Sequence, residues 1–340
     1  MKRLRLPRRV PLWLYALLAM TGPASHAADL PRGFFVENLR QTPAAPAFYN
    51  VETHRLQPFP LKCAYSRFID FSWDHERSQV FFSARLSPTQ PFHIYVKDWP
   101  SGEEKPIYEN SKGPFRFLLS PDGKRLAIQV FGRSAWPFMG VLEWSTGHWT
   151  DLGQGFSPDW SIDGQQLLFL KIPDGLPTWL YEYRVETDSA TLLVNEPVME
   201  AAYTDDAMQI VLKTASQAAK RDIFQLWNRR SGTFHDFCPP ETASRKHPIY
   251  QRELAAFPGH QFFFFKESAD VPDPDKQQLI VADVWGRRLQ SLSHDDWSPM
   301  AMAVEGITLA MSEDPLVVVQ ADGTGGLIEI PQARFIRLSK

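Results

Sequence analysis

The chain has 340 residues, a formal net charge of −3 and 22% charged residues. With 24 Phe and 11 Trp it is too apolar for a disordered chain, which needs low hydrophobicity, and too long for a disulfide-held miniprotein. Its 28 Pro residues make up about 8% against a usual ~5%, so many turns and few long helices are expected.

The first 27 residues read as a secretory signal peptide. Lys2, Arg3, Arg5, Arg8 and Arg9 make a basic start, Val10 to Met20 an apolar run, and Ser25-His26-Ala27 a small-residue cleavage site. Cleavage is expected after Ala27. The apolar run is short of the roughly 20 residues that span a bilayer, so no integral span is expected once it is removed. Removal takes five cations out of 36 and no acids, so the net charge moves from −3 to −8. An acidic exported chain without a basic stripe is a poor nucleic-acid binder. A periplasmic or secreted place and a monomeric state are expected.

From there the chain repeats. Phe115 to Leu119 is a short apolar strand. Ser120-Pro121-Asp122-Gly123 is a turn: Pro presets φ, Asp bonds nearby backbone, Gly accepts positive φ. Leu126 to Phe131, Met139 to Trp144 and His148 to Leu152 complete a four-stranded antiparallel meander. Trp160-Ser161-Ile162-Asp163-Gly164 starts a second copy. Phe71-Ser72-Trp73-Asp74 and Tyr203-Thr204-Asp205-Asp206 start weaker ones, and the copies after Leu254 and Met300 are weaker still. The second hairpin of each unit turns at 102, 147, 188, 232, 286 and 323, spacings of 45, 41, 44, 54 and 37. A mean of about 44 is the length of a propeller blade.

The expected fold is therefore an all-β propeller of seven blades, with six as the alternative, each of four antiparallel strands. One blade would join both ends of the chain. The C-terminal strand at 334–339 would be innermost, and Phe34 to Leu39 with a hairpin over 48–59 would supply the rest. This gives a signal peptide at 1–27 and one domain at 28–340. Closing the ring removes exposed sheet edges.

Leu119-Ser120-Pro121-Asp122-Gly123-Lys124-Arg125-Leu126-Ala127 resembles the signature repeat of TolB-like (WD40-like) β-propellers, and Trp160 to Phe169 is a second match. The resemblance covers residues 66–330. It implies that Asp122 and Asp163 are turn residues rather than ligands or acids. The chain departs from the resemblance in one respect: a propeller alone is expected, because the first propeller-like hairpin begins near residue 48 and leaves no room for the α/β domain that precedes the ring in TolB, and the hydrolase domain that follows the ring in propeller peptidases is not expected either. The repeat specifies architecture, not activity.

No Gly-x-Ser-x-Gly elbow, His-Glu-x-x-His, phosphate-binding loop or Cys-x-x-Cys pair occurs. Gly323-Thr324-Gly325-Gly326 is a hairpin turn. Asp74-His75-Glu76 and His294-Asp295-Asp296 read as solvated turns rather than metal sites. The same reading assigns no catalytic residue, metal or cofactor and leaves the binding face open. Cys63 and Cys238 are free to bridge or to remain separate thiols.

Two functions stand. The preferred one is a binding or scaffolding module for a protein or ligand of the cell envelope, with a protein or peptide partner. Trp73, Trp136, Trp160 and Trp297 are candidate anchors, against interblade packing as their simpler role. The alternative is a propeller hydrolase or lyase with a channel-mouth site, to which His93, His235, His247 and His260 would contribute. The weight falls against an enzyme.

Overall fold

The computed structural model describes 33–38, 45–50, 52–74, 76–110, 113–132, 134, 136–172, 178–204, 207–214 and 224–237. It also describes, by backbone pairing, the strands between Ile249 and Phe335. No described helix is long and apolar enough to cross a membrane.

The described elements are strands, and all their pairings are antiparallel. The first are β1 (Gly33–Asn38), β2 (Ala45–Asn50), β3 (Arg55–Pro58), β4 (Arg67–Asp74), β5 (Gln79–Arg85), β6 (Phe92–Asp98) and β7 (Glu104–Asn110). Next come β8 (Phe115–Leu119), β9 (Arg125–Val130), β10 (Phe138–Glu143), β11 (His148–Trp160), β12 (Gln166–Lys171), β13 (Trp179–Arg184) and β14 (Ser189–Tyr203). Then follow β15 (Gln209–Thr214), β16 (Gln225–Asn228), β17 (Thr233–Asp236), β18 (Ile249–Phe257), β19 (Gln261–Ser268), β20 (Gln278–Asp283) and β21 (Arg288–Ser293). The last are β22 (Ala303–Val304), β23 (Thr308–Ala310), β24 (Leu316–Gln320), β25 (Leu327–Ile330) and β26 (Ala333–Phe335).

β4 to β7, β18 to β21 and β22 to β25 are consecutive four-stranded meanders. β26 pairs with β1 (Val36 opposite Phe335), and β2 and β3 extend that sheet. β8 to β17 form one ten-stranded sheet. Here the structure departs from the expected separate strands: β11 and β14 run 13 and 15 residues. The first half of β11 is the outer partner of β10, and its second half, from Gly155, pairs with β12. β14 does the same between β13 and β15. Register shifts mark both strands, and such bulges let a strand bend without a turn.

Burial explains why single sheets do not suffice. On β9, Leu126, Ile128 and Val130 face a cluster with Phe81, Phe92 and Phe115, while Ala127 faces Met139, Val141 and Trp160. On β12, Leu167 and Phe169 face that second cluster, and Leu168 and Leu170 face a third with Val198, Tyr203 and Ile210. Both faces of these strands are thus apolar, so each set needs a neighbour on either side. Each fully buried Leu or Phe contributes about 1.5–3 kcal/mol. Aromatics do the same work nearer the start of the chain. Phe35 stacks on Phe71 at 4.9 Å, Phe48 meets Trp73 edge-on at 5.0 Å, and Phe59 stacks on Trp99 at 5.7 Å.

Candidate functional site

The strand directions give the β4–β7, β8–β11, β11–β14 and β14–β17 sets two ends. The turns following β4, β8 and β11 lie at one, the turn end. The loops following β5, β9 and β12 lie at the other, the loop end.

At the turn end most polar side chains bond to one another, with Gln79 Oε1 buried there without a hydrogen-bond partner among the described residues. Ser120 Oγ donates to Asp122 Oδ1 (2.6 Å) and accepts from the Arg125 amide (2.9 Å). Ser161 repeats this with Asp163 (2.6 Å) and the Gln166 amide (2.9 Å). The Asp122 carboxylate also takes the Lys124 amide and the Arg125 guanidinium. Gly123 and Gly164 hold φ of 65° and 67°, as the turn requires. A Cβ on Gly123 would lie 2.1 Å from Asp74 Oδ2, and one on Gly164 3.0 Å from Asp122 Cγ. Successive turns therefore lock together. Asp74 itself holds the Arg77 guanidinium at 2.6 Å and the Arg77 amide at 3.0 Å. Asp74, Asp122 and Asp163 are turn clamps, and the Ser161 hydroxyl holds the Asp163 carboxyl below the usual carboxylate range.

Two further sites there look catalytic by composition and are not so arranged. Glu182 is fully buried and takes Arg229 bidentately (2.6 and 3.0 Å), Arg184 Nε (2.8 Å) and Tyr203 Oη (2.9 Å). Burial pushes the Glu182 carboxyl up, but Arg229, Arg184 and Tyr203 outweigh it and hold it low. His148 Nε2 lies 3.1 Å from Asp188 and 3.4 Å from Thr150 Oγ1. A relay needs the acid and the nucleophile on opposite ring nitrogens. Here both meet the same one, and Thr150 donates straight to Asp188 (2.5 Å).

Between the ends, two inner-strand carboxylates reach the next set. Asp70 Oδ2 accepts the Phe117 amide (3.2 Å) and Asp159 Oδ2 the Tyr203 amide (2.7 Å). Each occupies an amide of a neighbouring inner strand, which guards a strand edge. Desolvation pushes the Asp159 carboxyl up to about 7 against the Tyr203 amide, which pulls it down.

The loop end is different. Four cations there lie over rings: Arg85 over Phe92 (4.9 Å), Arg116 over Phe131 (5.7 Å), Lys171 over Tyr181 (5.3 Å) and Lys213 over Phe224 (5.5 Å). They stand on four consecutive sets. Arg67, exposed, is registered directly opposite Arg85. Leu86, Phe138 and Met199 are exposed at the same end, and Trp136 stacks on Phe156 at 5.8 Å. Lys213 also pairs with Glu200 at 3.3 Å, whereas Arg85 and Lys171 have no carboxylate within ion-pair distance among the described residues, and a cation held by a ring keeps its charge available to an anion.

The sequence candidates divide accordingly. Trp73 and Trp160 are buried on strands, and Trp160 Nε1 donates to Leu118 O (3.1 Å). Both pack sheets, as their simpler role has it; Trp136 alone of the described candidates stands in a loop at the loop end. His93 Nε2 lies 3.3 Å from Glu109, and His235 is exposed on β17. Cys63 is exposed. His75, Cys238, His247, His260, His294, Asp295, Asp296, Trp297 and 323–326 lie outside the described residues. Among the described residues no three His, Cys, Asp or Glu side chains gather as metal ligands. Sequence reading missed Asp70, Asp159, Glu182 and Arg229. One signal was present: Glu182 alternates with apolar neighbours where β13 should point an apolar side chain inward.

No protein-family model matches the chain, and no curated protein matches it. Solved structures do. An oligogalacturonate lyase from Vibrio parahaemolyticus shares 11% identity at a TM-score of 0.58, over 88% of this chain and 85% of that one. The β-propeller domain of the Trilobed protease from Pyrococcus furiosus shares 13% at 0.55, over 79% and 86%. TolB from Acinetobacter baumannii shares 14% at 0.48, over 86% and 77%. At such identities the likeness speaks to fold: the chain is an all-β protein of antiparallel sheets, similar to β-propellers.

Proposed function

We propose that the chain is an exported β-propeller that acts as a binding or scaffolding module in the cell envelope, with the loop end as its contact face. The proposed ring has seven four-stranded blades. The three meanders, the β26-β1-β2-β3 sheet, and the three sets within the ten-stranded sheet support that count. The β26–β1 pairing supports closure through both ends of the chain. The proposed boundaries are a signal peptide at 1–27 and a single domain at 28–340.

One observation carries the binding reading: the contrast between the two ends. At the turn end hydroxyls, carboxylates and guanidinium groups bond to one another. At the loop end Arg85 and Lys171 rest on rings and Arg67 stands exposed, with Leu86 and Phe138 exposed at the same end, a mixture of aromatic, Arg and apolar groups that binding surfaces use. The cations make the contrast, since Ile162 and Met208 are exposed at the turn end too. The alternative, a hydrolase or lyase, draws support from the likeness to an oligogalacturonate lyase.

Photo-crosslinking residues placed at Ser87, at the loop end, and at Thr146, at the turn end, separate the readings in the protein's own cells, together with metal analysis of the purified protein. Crosslinks to a protein from Ser87 alone are expected. Crosslinks from Thr146 alone overturn the choice of face. A stoichiometric metal with crosslinks from neither position overturns the binding module in favour of the enzyme.

A further inference from the structure

Arg67 and Arg85 face each other across the first ladder of the β4–β7 sheet. Directly opposed residues share one face of a sheet, with Cβ atoms about 4.5–5.5 Å apart. Like charges so placed repel, and proteins ordinarily set a carboxylate between them. Among the described residues none lies within ion-pair distance of either. Arg85 is nonetheless firmly held. Its guanidinium lies over the Phe92 ring and its Nη1 donates to Pro88 O at 3.1 Å. Its own carbonyl is fixed by the Ser66 amide (2.9 Å) and Ser66 Oγ (3.2 Å). Arg85 Nε is buried with no hydrogen-bond partner, an arrangement that costs stability unless something else takes the donor. A bulge between Phe68 and Asp70 follows on β4, a feature that re-aims side chains.

We infer that Arg67 and Arg85 form an anchoring subsite for a carboxylate, and that the ligand is an acidic segment of a partner protein lying extended across the loop end. This rests on the binding-module reading and names its ligand. The geometry fits a carboxylate because two oxygens can take two guanidinium groups at once. It fits a peptide because a further ring-held cation, Lys171, stands on a following set at the same end, with Phe138 exposed at that end for apolar side chains. Charge complementarity favours the same occupant: the signal-free chain is acidic overall, so a cationic end stands out against it.

The test uses the full mature chain at low salt and a labelled synthetic peptide that alternates glutamate with leucine, read by fluorescence anisotropy. Saturable binding is expected, weakening as salt rises. Replacing glutamate by glutamine in the peptide should weaken binding at least about tenfold, and so should Arg67→Ala or Arg85→Ala. Arg85→Lys should recover part of the loss, and Arg230→Ala, at the turn end, should change nothing. Circular dichroism of each variant reports that it is folded. Failure of the glutamate peptide to bind, equal binding of the glutamine peptide, or unchanged affinity in the folded Arg67→Ala, Arg85→Ala double variant overturns the subsite. So does competition by inorganic phosphate as strong as that by free peptide, which would make the pair a general anion trap. Loop-end crosslinks with a failed peptide would remove the acidic ligand and leave the contact face standing; turn-end crosslinks would remove the face itself.

Discussion

The two ends of the sheets use the same residue types to opposite effect. At the turn end Asp122 and Asp163 close on the serines two residues before them, and Glu182 draws Arg229 and Tyr203 from the following set. Charge there is consumed in holding one sheet to the next. At the loop end Arg85 and Lys171 rest on Phe92 and Tyr181, and Arg67 faces Arg85. The lesson is that the presence of acids and bases says little. What separates scaffold from contact surface is whether their partners lie inside the chain. If that division is right, turn-end substitutions cost stability and loop-end substitutions do not.

The largest effect belongs to Arg229→Ala. It leaves Glu182 charged and buried against Arg184 and Tyr203 alone, and breaking one partner of such a pair costs about 3–5 kcal/mol. Urea denaturation measures it. Adding Glu182→Gln should return part of the loss, because the uncompensated charge then disappears. A loss under about 1 kcal/mol would mean that the network is not what joins the β11–β14 and β14–β17 sets.

Asp159 provides the next test. Its carboxyl sits at about 7 in the fold against an ordinary 3.8. Between those values the folded protein holds a proton that the unfolded chain has released. Its contribution is therefore full below pH ~4, declines as pH rises, and is gone above pH ~7. A displacement of that size is worth at most about 4 kcal/mol. Asp159→Asn keeps an oxygen for the Tyr203 amide and removes the titration. Thermal melts between pH 4 and 8 should show the wild-type slope flattened in the variant, and parallel slopes would refute the assignment.

These residues also mark how far the amino-acid sequence could be read. The strands at Phe115 to Leu119 and Leu126 to Phe131, and the serine-to-glycine turns, were legible because a turn is local chemistry: Pro, Asp and Gly each act within four residues. The pairing of the C-terminal strand with β1 was legible too, since a propeller-like repeat with a partial copy at each end points to one shared sheet, although the strand was expected at 334–339 and the described one is Ala333–Phe335. The continuous runs of β11 and β14 were not. His148 to Leu152 reads as a complete strand, whereas tertiary pairing on both sides carries β11 on to Trp160. The inter-set bonds of Asp70, Asp159 and Glu182 span 21 to 47 residues, distances at which no spacing rule applies. The loop-end cations stayed invisible for the same reason, being brought together by sheet order alone.

A smaller effect distinguishes the ends at single hydroxyls. Ser161 is buried and bonds Asp163, the Gln166 amide and the Gln166 carbonyl. Ser161→Ala should cost about 1–2 kcal/mol, whereas Ser87→Ala, whose exposed hydroxyl meets only Thr89, should stay within about 0.5 kcal/mol. Equal costs would erase the difference between the ends.

The smallest effect has the opposite sign and bears most directly on function. Arg67→Ala removes one of two like charges registered across a ladder, a repulsion of about 0.2–1 kcal/mol, and it removes no ion pair among the described residues. The variant should therefore be slightly more stable than the wild type at low salt, with the gain fading as salt rises because exposed charges are screened over roughly 10 Å at 0.1 M. A stabilising loss of an arginine is what a surface kept for a partner should display, since the unfavourable pairing persists in the free protein and is relieved only when an anion arrives. Should Arg67→Ala instead destabilise the fold at every salt concentration, Arg67 is a structural residue, and the loop end is built on the same plan as the turn end.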